Sequence, residues 1–425
     1  MKLLISTEHR FISARTGSVW TQTAFRYAFW QRYCSVFHSV AVFARVQEVD
    51  EPPPGYVRAD GPGVSFVALP HYIGPVRYLS RWLTIRRTAA RALADPTAVI
   101  LRVPSVIANH LAGILWRRRQ PYGVEVVGDP YDVFAPGVVE HPLRPFFRWS
   151  FCRALRLQCA GACAAAYVTA EALQLRYHPG GPAFHISDVD LTDDHSYTEN
   201  GNRTLVTSLP SVETLEPFRS ARCPIARPPD APIHIATIGS LEQLYKGTDT
   251  LIDALAHCLA SGANIDLTII GDGKYRRRLE TYAVRQGIRE RVRFMGQLPS
   301  GAVVRQHLRA ADLFVLPSRT EGLPRAMLEA MAEGLPCLGS QVGGIPELLV
   351  AEDTVPPNNP EALAGKILEV IRDPSRLTAM SVRAHSKIRE FAEPVLRLRR
   401  DRYLHHLHDA TMNWLKSESR CVSST

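Results

Sequence analysis

The run Ile265-Asp-Leu-Thr-Ile-Ile270 ends in Gly271-Asp272-Gly273, and Tyr275–Gln286 then follows with helical spacing. A short apolar run closed by glycines and followed by an amphipathic helix is the unit of a parallel α/β sheet. Upstream, Ile233–Gly239 is a second such run, followed by the helical segment Thr248–Ala260 with Leu251, Ile252, Leu255 and Leu259 on one face. Downstream, Val292–Met295 predicts a strand, Val303–Ala310 a helix and Leu313–Leu316 a strand. Pro324–Glu333 then predicts a helix and Pro336–Gly339 a strand. The alternation predicts a Rossmann-like domain over 233–392.

Before it, residues 206–232 read as a linker, with prolines at 210, 217, 224, 228, 229 and 232. Residues 1–205 repeat the alternation more faintly, with strand candidates at Leu3–Ser6, Val40–Ala44, Val64–Leu69, Ala98–Leu101 and Val124–Val127. After a helix at Ser375–Phe391, residues 393–425 predict a last helix rich in Arg and His. Two α/β domains joined by a linker predict a cleft, with ligands outside the carboxyl ends of the strands.

The chain has 425 residues, 46% hydrophobic and 21% charged, and its longest uncharged runs, such as Leu157–Ala170, are too short to span a bilayer. Met1–Ser6 reads as a buried strand rather than a secretory signal, so a cytoplasmic location is expected. Eight cysteines without a Cys-x-x-Cys motif exclude a disulfide scaffold. Cys152, Cys159 and Cys163 are spaced for one helix face, and core packing explains them better than zinc.

Almost all of the net charge of +9 lies in residues 1–190, which hold 21 Lys+Arg against 13 Asp+Glu. The arginines cluster with aromatics: Arg77, Arg81, Trp82, Arg86, Arg87 and Arg91; Arg117–Arg119; and Arg144 to Arg156 with Phe146, Phe147, Trp149 and Phe151. Such clusters suit an anionic membrane surface or phosphate-bearing ligands. The alternative is a solvated helix face with its rings turned inward. No nucleic-acid-binding motif accompanies the charge, and no nucleic-acid partner is expected.

The chemistry concentrates in Pro317-Ser-Arg-Thr-Glu-Gly-Leu-Pro-Arg-Ala-Met-Leu-Glu-Ala-Met-Ala-Glu-Gly-Leu-Pro336. Pro324 suits a first helical turn and Gly334 a stop. Amides of Gly322, Leu323 and Arg325 would then form an anion cradle. Glu321 and Glu329 would repel a phosphate, so they are expected to meet hydroxyls, as a vicinal diol offers. Phosphates in the middle, a ribose at one end and a sugar at the other describe a nucleotide sugar. Lys246-Gly247, after the first strand of this domain, would neutralise a diphosphate; the alternative is a residue that merely starts a helix. Gly271 and Gly273 permit close backbone approach.

The chain resembles the family 4 retaining glycosyltransferases of the GT-B fold, in the branch that builds bacterial surface polysaccharides. Ala311–Ser318, Glu321-Gly-Leu-Pro324, Glu329–Ala332, Gly334-Leu-Pro336 and Gly343-Gly-Ile-Pro-Glu347 carry the resemblance. Gly239-Ser240-Leu241, Lys246-Gly247, Gly271-Asp272-Gly273 and Phe294-Met295-Gly296 complete it. In the first half, Tyr27–Tyr33, Val124–Asp132 and Tyr167-Val-Thr169 match more loosely.

The resemblance implies a metal-independent, retaining hexosyl transfer from a nucleotide-diphosphate sugar, UDP before GDP. The implied acceptor is a saccharide or polyprenyl-diphosphate-linked saccharide, with peripheral contact on the inner face of the plasma membrane. Glu321 would contact the donor sugar, Glu329 the ribose diol and Lys246 the diphosphate, beside the Gly322 and Leu323 amides and Pro324. Gly296 and Gln297 would face the base, Gly239 and Ser240 would line the site, and Gly17 would sit in the first domain's loop toward the donor. The last helix would return to the first domain. Where many members carry Gly-Arg-Leu this chain has Gly239-Ser240-Leu241, so one phosphate-binding arginine is missing. Where many carry a histidine it has Gly128-Asp129, which makes Asp129 an acceptor-side candidate; the alternative is a turn or helix cap.

Three other readings compete. A nicotinamide dehydrogenase wants Gly-x-Gly-x-x-Gly, and Gly271–Arg276 lacks the third glycine. A GT-B sugar-nucleotide epimerase would turn over without an acceptor. A catalytically silent nucleotide-sugar-binding partner would bind without transfer.

Overall fold

The computed structural model describes residues 1–136, 138, 141–191, 231–298 and 301–423. It divides into two compact units. The first comprises Met1–Tyr131, Pro145–Ile186 and Arg397–Thr425; the second comprises Asp132–Arg144 and Ser187–Leu396. Up to residue 230, the expected linker lies outside the described residues.

The first stretch of chain supplies strands β1 (Lys2–Ser13), β2 (Val19–Thr21), β3 (Ser39–Glu48), β4 (Val57–Arg58), β5 (Val64–Pro70), β6 (Thr97–Val103), β7 (Gly123–Val126), β8 (Ala164–Tyr167) and β9 (Ala183–His185). Its helices are α1 (Tyr27–Gln31), α2 (Pro75–Ala92), α3 (Val106–Arg118), α4 (Pro130–Val133) and α5 (Arg144–Ala160). The parallel order is β5-β3-β1-β6-β7-β8-β9, and β1 also turns back antiparallel into β2, which pairs with β4. Every residue of β6, β7 and β8 is buried, and these strands are largely apolar; the buried charged exceptions, Arg102 of β6 and Glu125 of β7, pair with each other at 2.8 Å. Leu3, Ile5, Val40, Val42, Ala98 and Ile100 share one core with Trp30 and Tyr33.

One expectation and one alternative are corrected. Helix α5 stops at Ala160, and Cys163 leads into β8 with its amide donating to Tyr122 O (2.9 Å), so it does not share a helix face with Cys152 and Cys159. Burial pushes the Cys159 thiol up to about 12 and Cys163 to about 11, which suits packed, unreactive sulfurs. No group of His, Cys, Asp or Glu fit to hold a metal ion occurs among the described residues. On α5 the rings of Phe146 and Trp149 point to solvent, at 55% and 61% exposure, instead of turning inward.

The second unit contains β10 (Ile233–Ile238), α6 (Thr248–Ala260), β11 (Ile265–Ile270), α7 (Arg276–Arg285), β12 (Val292–Gly296), α8 (Ala302–Ala310) and β13 (Leu313–Leu316). It continues with α9 (Arg325–Ala332), β14 (Cys337–Ser340), α10 (Ile345–Leu348), β15 (Thr354–Val355), α11 (Pro360–Ile371) and α12 (Pro374–Ile388). The strand order is β12-β11-β10-β13-β14-β15, all parallel. The order reverses between β10 and β13, and at such a switch point the connections diverge and open a crevice beyond the strands' carboxyl ends. Leu251, Leu255, Leu267, Ile269, Leu313, Val315 and Ile367 form the core.

The last helix, α13 (Glu393–Ser423), starts in the second unit and from Arg397 belongs to the first. There Tyr403 is fully buried and donates to Val124 O (3.2 Å), filling the space that Gly123 leaves bare. Among the described residues no helix is long and apolar enough to cross a membrane.

Candidate functional site

Lys246 follows β10 and Glu321 follows β13, so the strands flanking the switch point deliver them side by side. Lys246 Nζ donates to Glu321 Oε1 at 2.7 Å, and Ser318 Oγ donates to the same oxygen at 2.6 Å. The Glu321 side chain is 7% exposed and that of Lys246 is 17%. In such a place each charge needs the other, because desolvating one alone costs several kcal/mol or about that order.

The surrounding loops are locked by backbone. Lys246 closes a 3₁₀ turn whose cap, Gly247, has φ +69°, and a Cβ there would overlap the Pro317 carbonyl. Arg319 bonds across the gap: its amide donates to Tyr245 O (2.7 Å) and its guanidinium holds Asp249 in two bonds (2.9 and 2.8 Å). Ser340 Oγ donates to Ser318 O. Gly343, at φ +52°, packs flat on Glu321, where a Cβ would overlap the carbonyl, and the Gly344 amide donates to Gly322 O (2.7 Å). Glu321 and Gly322 are therefore clamped from both sides.

Pro324 caps α9 rather than opening its first turn, because its ψ of 106° is extended, and Gly334 stops the helix at φ +73° as expected. The amides of Gly322, Leu323 and Arg325 make no hydrogen bond among the described residues and precede or open the helix, which gives an anion two favourable features, free donors and the positive helix end. Glu329 lies further along α9, partly buried, with no hydrogen bond or ion pair among the described residues. Desolvation pushes its carboxyl above the usual range, opposed by Arg325 and Arg305 and reinforced by Asp190. An unbonded, sheltered carboxylate is ready to accept two hydroxyls.

Gly239, Ser240, Gly271, Gly273 and Gly296 cluster at the carboxyl ends of β10, β11 and β12. The Gly239 amide donates to Ile270 O (3.0 Å), Leu241 to Asp272 O (2.9 Å) and Gly271 to Gly296 O (2.9 Å). A side chain on Gly239 would press on Lys246, and one on Gly271 would strike Gly239 O. Ser240 and Gln297 are exposed.

Two of the expected residues lie in the first unit. Gly17, at φ +82°, turns the β1–β2 hairpin with open space around it. Asp129 is 5% exposed and fully engaged: Oδ1 accepts from the Tyr131 amide (2.8 Å) and Tyr177 Oη (2.5 Å), and Oδ2 pairs with Arg176. The carboxylate caps the start of α4 and anchors a buried network, as a helix cap would. Residues that the sequence reading did not place in the site are Ser318, Arg319, Ser340, Gly343 and Gly344. Ser318 and the glycine pair were visible inside quoted motifs, whereas nothing local links Arg319 to Asp249.

The architecture is of the GT-B type: two Rossmann-like units, the second presenting paired charge, unbonded helix amides and an unbonded carboxylate beyond its switch point. The Glycosyl transferases group 1 family matches residues 232–373. Protein CapJ of Staphylococcus aureus is 27% identical over 326 residues, 75% of this chain and 74% of CapJ. The amylovoran biosynthesis glycosyltransferase AmsK of Erwinia amylovora is 31% identical over 166 residues, 37% of this chain and 40% of AmsK. The solved structure of Anabaena HepE with UDP-glucose aligns with a TM-score of 0.58 at 17% identity over 99% of this chain and 100% of HepE, which establishes the shared fold. The second unit is thus a glycosyl transferases group 1 domain, and the chain is a glycosyltransferase built on it.

Proposed function

We propose that the chain moves a hexose from a UDP-sugar, with retention, to a saccharide or polyprenyl-diphosphate-linked saccharide during surface-polysaccharide synthesis, at the inner face of the plasma membrane. The Lys246–Glu321 pair at the switch point, with unbonded Glu329 on α9, carries the reading. Glu329 takes the ribose diol, the Gly322 and Leu323 amides and Lys246 take the diphosphate, and Glu321 takes the sugar hydroxyls. UDP is favoured over GDP because HepE, alike over its whole length, was solved with UDP-glucose. The role in polysaccharide synthesis leans on AmsK.

Transfer breaks the bond from the anomeric carbon to the diphosphate oxygen and forms the bond to the acceptor oxygen on the same face. The acceptor proton passes to the departing diphosphate. Lys246 and the helix amides stabilise the charge that develops there, which is the larger catalytic contribution expected of preorganised donors. These groups do this without a metal, so chelator leaves the rate unchanged.

Calorimetric titration with UDP, GDP, UDP-glucose, GDP-mannose and NAD⁺, repeated on Glu329→Ala, tests the reading. Saturable UDP and UDP-glucose binding that the variant loses supports it. Binding of NAD⁺ alone, or UDP binding indifferent to Glu329, overturns it.

A further inference from the structure

In the second unit, β12 slips against β11: Ile269 pairs with Phe294 and Ile270 with Gly296, so Met295 bulges out of register. A bulge bends its strand and re-aims the residues after it, and bulges are over-represented beside active sites. Here the chain turns at Gly296, whose φ of +73° suits glycine, and Gln297 follows beyond the end of the strand.

Arg276, the first residue of α7, spans this bulge. Its Nη2 donates to Phe294 O (3.2 Å), Nη1 to Asp272 Oδ2 (3.1 Å) and Nε to Glu280 Oε1 (3.0 Å). Asp272 is held in turn, since its Oδ1 accepts the Gly273 amide (2.8 Å). A Cβ on Gly296 would lie 2.9 Å from Arg276 Nη1, so the guanidinium rests against the bare face of that glycine. The Gly271 amide takes the Gly296 carbonyl from the other side (2.9 Å). The Arg276 side chain is 32% exposed, and ion pairs open to water add little stability. What the rigid guanidinium fork does is fix the ends of two strands relative to each other.

The residue after this clamp is open. The Gln297 amide and carbonyl make no hydrogen bond among the described residues. From there the chain leads into α8, which lies against α9: Arg309 holds Glu333 in two bonds (2.7 and 3.3 Å), and the charge of Arg305 bears on Glu329. An open backbone edge thus stands on the same rim as the carboxylate assigned to the ribose. One N–H beside one C=O reads the order of donor and acceptor on a base. Uracil offers an O4 acceptor and an N3–H donor; cytosine, of the same size and shape, offers an amino donor and a bare N3 acceptor in their place. Only a backbone edge held in one orientation separates the two, because a loose one turns to suit either.

We propose that the Arg276–Asp272 clamp sets the base choice of the donor site: by locking Gly296 it fixes the Gln297 backbone edge in the orientation that accepts uracil and rejects cytosine. Arg276 touches neither the base nor the reacting atoms, so it is a positioning residue. The inference rests on the donor reading above and adds the residue that governs its base selectivity.

Calorimetry with UDP and CDP compares the full-length parent with Arg276→Gln, Arg276→Lys and Arg277→Gln. The exposed Arg277 side chain makes no hydrogen bond or ion pair among the described residues, so its variant removes the same charge and leaves the clamp intact. We expect the parent to bind UDP about a hundredfold more tightly than CDP, since two mismatched hydrogen bonds cost about tenfold each. Arg276→Gln should weaken UDP about tenfold and leave CDP within about threefold, which also shows that the variant is folded. Arg276→Lys should lose the preference equally although it keeps the charge, because one ammonium cannot hold Asp272 and the Phe294 carbonyl in a fixed fork. Arg277→Gln should keep the parent ratio. A ratio that survives in both Arg276 variants, a ratio that falls as far in Arg277→Gln, or a parent that binds UDP and CDP alike overturns the proposal. Absence of UDP binding in the parent would sink the donor reading itself. UDP binding that Glu329→Ala abolishes, with the base preference intact in both Arg276 variants, would sink this inference alone.

Discussion

Lys246 and Glu321 stand in one ion pair, Nζ to Oε1 at 2.7 Å, although each is expected to hold a different part of the same donor. The pair keeps both charges oriented in a partly dehydrated place before any ligand arrives. A donor that brings a diphosphate and hydroxyls would draw on both groups at once. We expect Lys246→Ala and Glu321→Ala to couple, each costing about 2 kcal/mol of unliganded stability and the double variant clearly less than their sum, by about 1–2 kcal/mol. Denaturant unfolding of the four proteins measures this. Additive losses would show that the pair is not formed in solution. Transfer should fall about a hundredfold or more in Lys246→Ala, because the departing diphosphate loses its cation.

Glu329 makes the donor site pH-dependent. Burial raises its carboxyl above the ordinary value, so the protonated form persists to higher pH in the folded chain than in the unfolded one. The stability this contributes is present below the unfolded carboxyl range and is lost as pH rises through the raised folded value. A diol needs the ionised form as its acceptor, so donor affinity should run the other way and climb as pH rises through that value. Calorimetry of UDP between pH 5 and about 8 reads the slope. Glu329→Gln should flatten it, and an unchanged slope would remove Glu329 from the site.

How much of this was legible in the sequence depends on where the determining contacts lie. Five of the six second-unit strands were readable nearly to the residue, because runs such as Ile265–Ile270 and Leu313–Leu316 are mostly buried and apolar and closed by glycine or proline, whereas the two-residue Thr354–Val355 carries no such run. Ala164–Tyr167 was not, because an alanine-rich strand inside the uncharged stretch from Leu157 looks like a continuation of α5. Glu321, Glu329 and Lys246 were legible because few residue types suit their chemistry. The clamp around them was not. Arg319 meets Asp249 across 70 residues of chain, and Gly343 reaches Glu321 through the fold, so only the folded backbone reveals either. The direction of the Phe146 and Trp149 rings was equally hidden, since a helical period gives a face but not what covers it.

Asp129 should matter for stability rather than for donor binding. Its carboxylate satisfies the Tyr131 amide, Tyr177 and Arg176, and burial beside it pushes the Tyr177 phenol far above its ordinary value. Asp129→Ala strands a phenol and a guanidinium, at about 3 kcal/mol. Tyr177→Phe removes one bond to a charged oxygen, at about 1.5–2 kcal/mol. Thermal unfolding ranks the two, and UDP affinity should stay at the parent value in both. A transfer rate that collapses in Asp129→Asn at unchanged stability would restore a catalytic part for this carboxylate.

Gly343 offers the sharpest separation of local strain from site geometry. At φ +52° any L side chain pays about 1–2 kcal/mol for a left-handed backbone. Gly262 sits at φ +79° with nothing within 4 Å of its missing Cβ, so Gly262→Ala pays that conformational cost alone. Gly343→Ala pays it and also drives a methyl into the Glu321 carbonyl, which can yield only by displacing the backbone that carries Glu321 and the free Gly322 amide. We expect Gly343→Ala to lose more melting temperature than Gly262→Ala, by at least the several degrees that about one further kcal/mol costs. UDP-glucose affinity should hold in Gly262→Ala and fall about tenfold or more in Gly343→Ala, because a shift near 1 Å misplaces both an acceptor and a donor of the site. Equal affinities in the two would mean that the 341–344 turn only supports the fold and does not set the position of Glu321.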